Sequence, residues 1–303
     1  MTTGSTHSHR SIYAYLSLAL KGFCMGAADV VPGVSGGTMA LILGIYEELI
    51  QAIRSVVMAF IRRLYQGRLR EALNGVPWPF LLALGMGILT AILSLARVIG
   101  WMLGNYPVYV WSFFFGLVLA SVVAVGRQMD RWTAGTVSWM IMGALGAYWV
   151  VGIVPINTPE TPLFLFLSGA VAICAMILPG ISGSFILVLL GKYQFVLNAV
   201  NQRDFLILFI FGMGAAAGLL CFVRLLNWLL LRYRTWTLAS LVGLMMGSLR
   251  KVWPWKLTGS GVYDVNHMPT QFSSEVMTAV GLMVLGLLAV WGLNTLAKYQ
   301  RSG

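Results

Sequence analysis

One interruption of the apolar sequence occurs twice, and it limits the fold more than any other feature. The first copy is Asp29-Val30-Val31-Pro32-Gly33-Val34-Ser35-Gly36-Gly37-Thr38, running on to Gly44-Ile45-Tyr46. The second is Met176-Ile177-Leu178-Pro179-Gly180-Ile181-Ser182-Gly183-Ser184-Phe185, running on to Gly191-Lys192-Tyr193. Each is a Pro-Gly-x-Ser-Gly break between two apolar segments. Pro32 and Pro179 stand 147 residues apart, as do Tyr46 and Tyr193. The chain therefore contains an internal duplication, and such a break at membrane depth is tolerated only where protein or a wet cavity surrounds it.

The membrane enters through composition. With 59% hydrophobic and only 10% charged residues in 303, the apolar surface exceeds what one water-soluble core can bury. The chain is read as an integral membrane protein. Its net charge of +11 could suggest nucleic acid, but the basic residues cluster in short connections between apolar runs, where the positive-inside rule puts them. No nucleic-acid partner is expected. The polar start, Met1 to Arg10, has no small-residue cleavage site behind a short apolar region, so a removed signal peptide is not expected. Cys24, Cys174 and Cys221 lie singly in apolar runs, and His7, His9 and His267 lie in polar segments far from any acidic cluster. Neither a disulfide framework, a metal site nor a cofactor is expected.

Turn residues and apolar runs predict an all-α membrane fold built from two halves. The first, residues 1–154, comprises a re-entrant or broken helical hairpin over 11–60 and spans at 79–104, 108–126 and 134–154. The second, 155–303, comprises a hairpin over 163–200 and spans at 205–231, 236–248 and 276–297. The duplication extends past the hairpins at a new offset of 127. Gly85-Met86-Gly87 matches Gly212-Met213-Gly214, Arg97 falls on Arg224, Trp101 on Trp228, Tyr106 on Tyr233 and Ser121 on Ser248.

Counting crossings orients the halves. A hairpin that enters and leaves on one side gives three crossings per half, and a hairpin with two spanning arms gives five. Both are odd, which makes the halves run in opposite directions, as in transporters built from inverted repeats; a single broken span would give four crossings and parallel halves, but would put the basic stretch and the Arg232–Arg234 turn on opposite sides, against the charge bias. The basic stretch Arg62, Arg63, Arg68 and Arg70, the Arg232–Arg234 turn and the tail with Lys298 and Arg301 then share the cytoplasmic side with both termini.

Arg97 and Arg224 are the first candidates for function. Each lies several residues inside an apolar span, where an ionisable group is costly and usually faces the protein interior or a wet path. The competing reading is snorkelling of a long side chain to the interface, but equivalent positions in two halves favour a role. The deep acids are few: Asp29, with Glu47 and Glu48 nearer an end. Two guanidinium groups with so little compensation imply an anion, and their geometry matches phosphate. Ser35, Gly36, Gly37 and Thr38 in the first break, and Ser182, Gly183 and Ser184 in the second, offer backbone N–H groups and hydroxyls to the same anion. Asp29 has no acidic counterpart, Met176 occupying its place, and is read as a coupling or structural residue. No catalytic set appears, since the deep segments hold no histidine and no carboxylate pair. Gly22-x-x-x-Gly26 and Gly214-x-x-x-Gly218 allow close helix contacts within a protomer or between protomers, which leaves room for a homodimer.

Lys21-Gly22-Phe23 with the run Met25 to Thr38, and Ile177 to Ser184 in the second half, resembles the bacterial polyprenyl-phosphate transporters, once a family of unknown function. The likeness spans nearly the whole chain. It implies an inner-membrane translocase, not an enzyme, that returns undecaprenyl phosphate, the lipid carrier of cell-envelope and peptidoglycan sugars, from the periplasmic to the cytoplasmic leaflet. The headgroup would meet the hairpin starts and Arg97 or Arg224 while the tail stays in lipid. Residue chemistry alone also admits a small-anion or ion-coupled carrier, and a lipid-phosphate-processing enzyme less readily.

Overall fold

The computed structural model describes residues 12–30, 35–66, 76–129, 131–152, 158–258, 264–269, 271 and 273–302. Pro32 and Gly33 of the first break, Arg68 and Arg70 of the basic stretch, and the tail 1–10 lie outside the described residues. The described chain is helical throughout its apolar segments. Helices α1 (Ile12–Asp29), α2 (Gly36–Ile42) and α3 (Tyr46–Gln66) form the first hairpin unit. They are followed by α4 (Trp78–Asn105), α5 (Pro107–Gly126) and α6 (Ala134–Gly152). The same order then repeats as α7 (Pro162–Ile177), α8 (Gly183–Leu189), α9 (Tyr193–Gln202), α10 (Phe205–Arg232), α11 (Arg234–Ser248) and α12 (Ser274–Ser302).

Five of these helices, α4, α5, α6, α10 and α12, are long and apolar enough to cross a bilayer. The 28 residues of α4 and of α10 reach about 42 Å, more than the ~30 Å hydrocarbon core. α7, with 16 residues, and α11, with 15, fall short of it. α8 and α9 meet at an angle of 106°, so the return arm of the second hairpin is broken rather than straight. Between α11 and α12 the expected long loop carries two short antiparallel strands, β1 (Lys256–Thr258) and β2 (Asp264–Asn266), an element that apolar periodicity does not reveal.

Glycines set the helix pairing, because close backbone approach is the main attraction between helices when lipid is as apolar as the side chains. α1 lies on α4: a Cβ added at Gly26 would stand 2.6 Å from the Ile88 carbonyl oxygen, and one at Gly22 would strike Leu84. α7 lies on α10 in the same manner, with Gly214 on Phe166 and Gly218 on Ala170. Both small-residue motifs are thus consumed inside the protomer. The contacts step forward together along each pair, so α1 runs parallel to α4 and α7 parallel to α10. α11 lies on α6, Gly243 facing Met140 and Gly247 facing Ala144, again in parallel. α5 lies on α12 through Gly116 on Met283 and Gly286 on Phe113.

These pairings correspond position by position. Gly22 on Leu84 matches Gly169 on Phe211, and Gly243 on Met140 matches Gly116 on Met283. The aromatic corners repeat too. Trp101 meets Tyr106 edge-on at 5.8 Å and Trp228 meets Tyr233 at 5.6 Å; Tyr106 stacks on Tyr109, and Tyr233 on Trp236.

Candidate functional site

The two hairpin breaks meet. All seven residues of α2 are buried, and this short helix lies against α5, α7 and α12. Ser35, 2% exposed, caps it by accepting from the Gly37 N–H at 3.1 Å. The same hydroxyl lies 3.2 Å from the Leu178 carbonyl and 3.4 Å from that of Met176, at the last turn of α7. Thr38 is fully buried and its Oγ1 accepts from the Gly180 N–H at 3.0 Å. The Tyr46 hydroxyl donates to the Ile177 carbonyl at 3.2 Å. The end of α7 would leave carbonyls without intrahelical partners. Ser35 and Tyr46 reach carbonyls of that end, and Thr38 takes the Gly180 N–H just beyond it.

Asp29 turns toward the same tip. Its Oδ1 accepts from the Gly36 N–H at 2.6 Å, so an internal carboxylate already covers the start of α2. Gly36 and Gly37 are required by space: a Cβ at Gly36 would fall 2.5 Å from Asp29 Oδ2, and one at Gly37 2.8 Å from the Ile177 carbonyl.

The second break is open where the first is sealed. Ser184 is exposed and Ser182 half-buried, their hydroxyls 2.7 Å apart. One hydroxyl proton is spent between them and the other is left for an outside acceptor. Ser182 also receives the Phe185 N–H at 3.4 Å, and Gly183 lets α8 approach α7, where a Cβ would stand 2.7 Å from the Ala172 carbonyl. Just beyond α8, the side chain of Lys192, 1% exposed, donates to the Thr158 carbonyl at 2.6 Å and so pins the α8–α9 bend to the chain entering α7.

Arg97 and Arg224 do not face the interior, which corrects the expectation of a buried, partnered pair. Both are exposed, and neither side chain makes a hydrogen bond or ion pair among the described residues. The reason is rotational. α4 buries Phe80, Leu84, Gly87 and Ala91, and Arg97 falls instead in line with Met86 and Leu93 on the opposite, apolar outer stripe. Arg224 falls in line with Met213 on the corresponding stripe of α10. Along the helix axes both nevertheless lie just past the ends of the hairpins' first arms. Carrying the α1–α4 register forward at ~1.5 Å per residue puts Arg97 roughly one to two turns beyond the end of α1. The α7–α10 register puts Arg224 level with the stretch Leu178 to Ser182.

Tyr46 locks the two breaks together, a role that its place in the repeated Gly-x-Tyr does not by itself announce. Among the described residues no three of His, Cys, Asp and Glu gather in one place.

Residues 25–268 match the family model described as undecaprenyl phosphate translocase-like. The chain is 44% identical over 300 residues to a polyprenyl-phosphate transporter of Vibrio cholerae, covering 94% of this chain and 97% of that protein. It is 33% identical over 256 residues to a polyprenyl-phosphate transporter of Staphylococcus aureus, covering 78% and 85%. No solved structure matches the chain.

Proposed function

The chain belongs to the undecaprenyl phosphate translocase-like family, and from that premise we propose that it is a transporter which moves undecaprenyl phosphate between the leaflets of the bacterial inner membrane. The direction is from periplasm to cytoplasm and the mechanism is alternating access between two inverted repeats, 1–154 and 155–303. It performs no chemistry on its lipid.

Helix direction supports the inversion. α4 and α5 are joined through Tyr106 alone, and a ~30 Å core cannot hold both end to end, so the chain reverses there. The seven residues 127–133 reach at most about 24 Å and force a second reversal into α6. α6 is parallel to α11, and α10 reverses into α11 through Tyr233, so α10 opposes α4. Since α1 follows α4 and α7 follows α10, the two hairpins enter from opposite faces. With Arg127, Arg131, Arg232 and Arg234 inside, both termini are cytoplasmic.

The observation that carries the lipid reading is the outward position of Arg97 and Arg224. A soluble anion needs an enclosed path, whereas a lipid phosphate comes from the bilayer itself. A guanidinium on an apolar outer stripe, just past the end of a hairpin's first arm, can take the phosphate from the side while the prenyl tail stays in hydrocarbon. From there the phosphate is passed to the hydroxyls of Ser182 and Ser184 and the backbone of Gly183. Ser35, Gly36, Gly37 and Thr38 face it only in the alternate state, when the first break opens and the second seals. Asp29 closes the first tip in the present state and competes with phosphate for it. The inequality of the two breaks supports such an exchange, because alternating access needs the repeats in different conformations at any moment.

The test is leaflet exchange of a fluorescent polyprenyl phosphate in proteoliposomes. Arg97→Gln and Arg224→Gln each slow exchange at least about tenfold, the loss expected for one charge-assisted contact. Thermal stability stays unchanged, since neither side chain has a partner to lose. Uptake of soluble phosphate is absent in all variants. A double variant that exchanges lipid at the wild-type rate overturns the arginine assignment, and soluble-phosphate uptake overturns the lipid reading.

A further inference from the structure

A cavity of about 620 Å³ opens between the end of α2, the C-terminal parts of α5 and α12 and the start of α11. None of its lining residues belongs to either Pro-Gly-x-Ser-Gly segment, and it lies where α5 finishes and α11 begins. Ala124, Leu288 and Trp291 form apolar wall, and Arg127, Gln128 and Arg234 form polar rim. Its volume falls in the range of small-molecule sites, roughly 300–1,000 Å³.

The two guanidinium groups are available. Arg234 donates from Nε to Glu47 Oε1 at 2.8 Å, an ion pair that is half-exposed and leaves its other nitrogens uncommitted. The Arg127 side chain makes no hydrogen bond or ion pair among the described residues. Two arginines against one glutamate leave a positive excess, which suits an anion of charge between about −1.5 and −2, as a phosphomonoester carries near neutral pH. The wall gives the second half of the ligand's chemistry. Leu288 and Trp291 are 56% and 69% exposed, so they line the cavity and also face outward toward lipid. An apolar chain attached to the phosphate can leave along them without entering water.

The cavity is one-sided. At the offset of 127 that relates the halves, Arg127 corresponds to Pro254 and Arg234 to Pro107. Near the opposite end, Arg250 lies over the Tyr148 ring at 4.4 Å and donates to the Tyr148 carbonyl, and Lys251 lies over the Phe185 ring at 4.8 Å. Those cations are already engaged. The duplication therefore does not account for the pair at Arg127 and Arg234.

We propose that this cavity is a binding site for the phosphomonoester headgroup of a prenyl lipid, clamped between Arg127 and Arg234, with the first part of the chain against Leu288 and Trp291. The site rests on the transport reading and deepens it: it holds the headgroup on the side assigned to the cytoplasm, after the breaks and before release. Glu47 holds Arg234 in place and limits how tightly the phosphate is kept.

A thiol placed by Gln128→Cys, in the full chain with Cys24, Cys174 and Cys221 changed to alanine, reports occupancy through its rate of maleimide labelling. Geranylgeranyl phosphate slows labelling, and geranylgeraniol or inorganic phosphate at the same concentration does not. Adding Arg127→Gln or Arg234→Gln raises the geranylgeranyl phosphate needed for half-protection by about tenfold. Glu47→Gln leaves that concentration unchanged or lowers it, whereas a merely structural ion pair would make Glu47→Gln behave like Arg234→Gln. Ala124→Trp, which fills the cavity, abolishes protection. Absence of protection, protection by inorganic phosphate alone, or protection indifferent to both arginines overturns the proposal. If the unlabelled protein still exchanges prenyl phosphate in proteoliposomes, only this site falls. If it does not, the transport reading falls with it.

Discussion

The two hairpin breaks begin from one sequence pattern and finish in opposite environments. Ser35 and Ser182 both cap a seven-residue helix, and Tyr46 and Tyr193 both follow at the same spacing. Yet Tyr46 is 2% exposed and bonded to the Ile177 carbonyl, while Tyr193 is 40% exposed. The differing positions explain the division. Thr38 offers an acceptor to Gly180 where Phe185 offers none, and Asp29 holds the Gly36 N–H where Met176 cannot hold its counterpart. Duplication thus sets where the chain breaks, and a few substituted side chains decide which copy seals the centre and which keeps its hydroxyls available.

Tyr46→Ala against Tyr193→Ala is the largest contrast. Removing the buried ring is expected to cost about 3–5 kcal/mol, as for other large aromatic truncations, and removing the exposed one less than about 1. Unfolding midpoints of the purified protein in detergent read the difference, and equal losses would break the comparison. Next comes a case where the copies should agree. Gly87→Val and Gly214→Val each drive a side chain into the backbone of the neighbouring helix, Ala19 or Phe166, at about 3 kcal/mol apiece. A large inequality between the two would mean that the halves differ in their frames and not only in their breaks. The smallest contrast is between Ser35→Ala and Ser182→Ala. The first strips a buried cap and the bonds to α7, costing about 1–3 kcal/mol; the second removes a partly exposed hydroxyl whose loss stays within about 1 kcal/mol.

Much of this frame is legible in the residues. The apolar runs 79–104 and 205–231 fold as the helices α4, Trp78–Asn105, and α10, Phe205–Arg232, because Pro, Asn-Tyr-Pro and Asp-Phe mark their ends. The small-residue stripes that pair α1 with α4 and α7 with α10 are equally visible. The facing of Arg97 and Arg224 is not, for a physical reason. Surrounded by lipid, an outer stripe such as Met86, Leu93 and Trp101 is as apolar as the buried one, so periodicity does not tell outside from inside. The Arg127–Arg234 cavity is not legible in the sequence for a related reason. Both residues lie at helix ends, where arginine reads as a topology marker, and their convergence depends on tertiary packing.

The division of labour between the breaks is tested most directly by leaflet exchange of a fluorescent polyprenyl phosphate in proteoliposomes, each rate normalised to folded protein. The expected result for the Ser182→Ala, Ser184→Ala double variant is exchange slowed about tenfold or more, with an unfolding midpoint close to wild type. Ser35→Ala should lower the midpoint, and the protein that remains folded should lose less exchange than the double variant, because Ser35 meets the phosphate only in the alternate state. Wild-type exchange by the double variant, or a slowing confined to Ser35→Ala, would contradict the assignment of binding to the second break and sealing to the first.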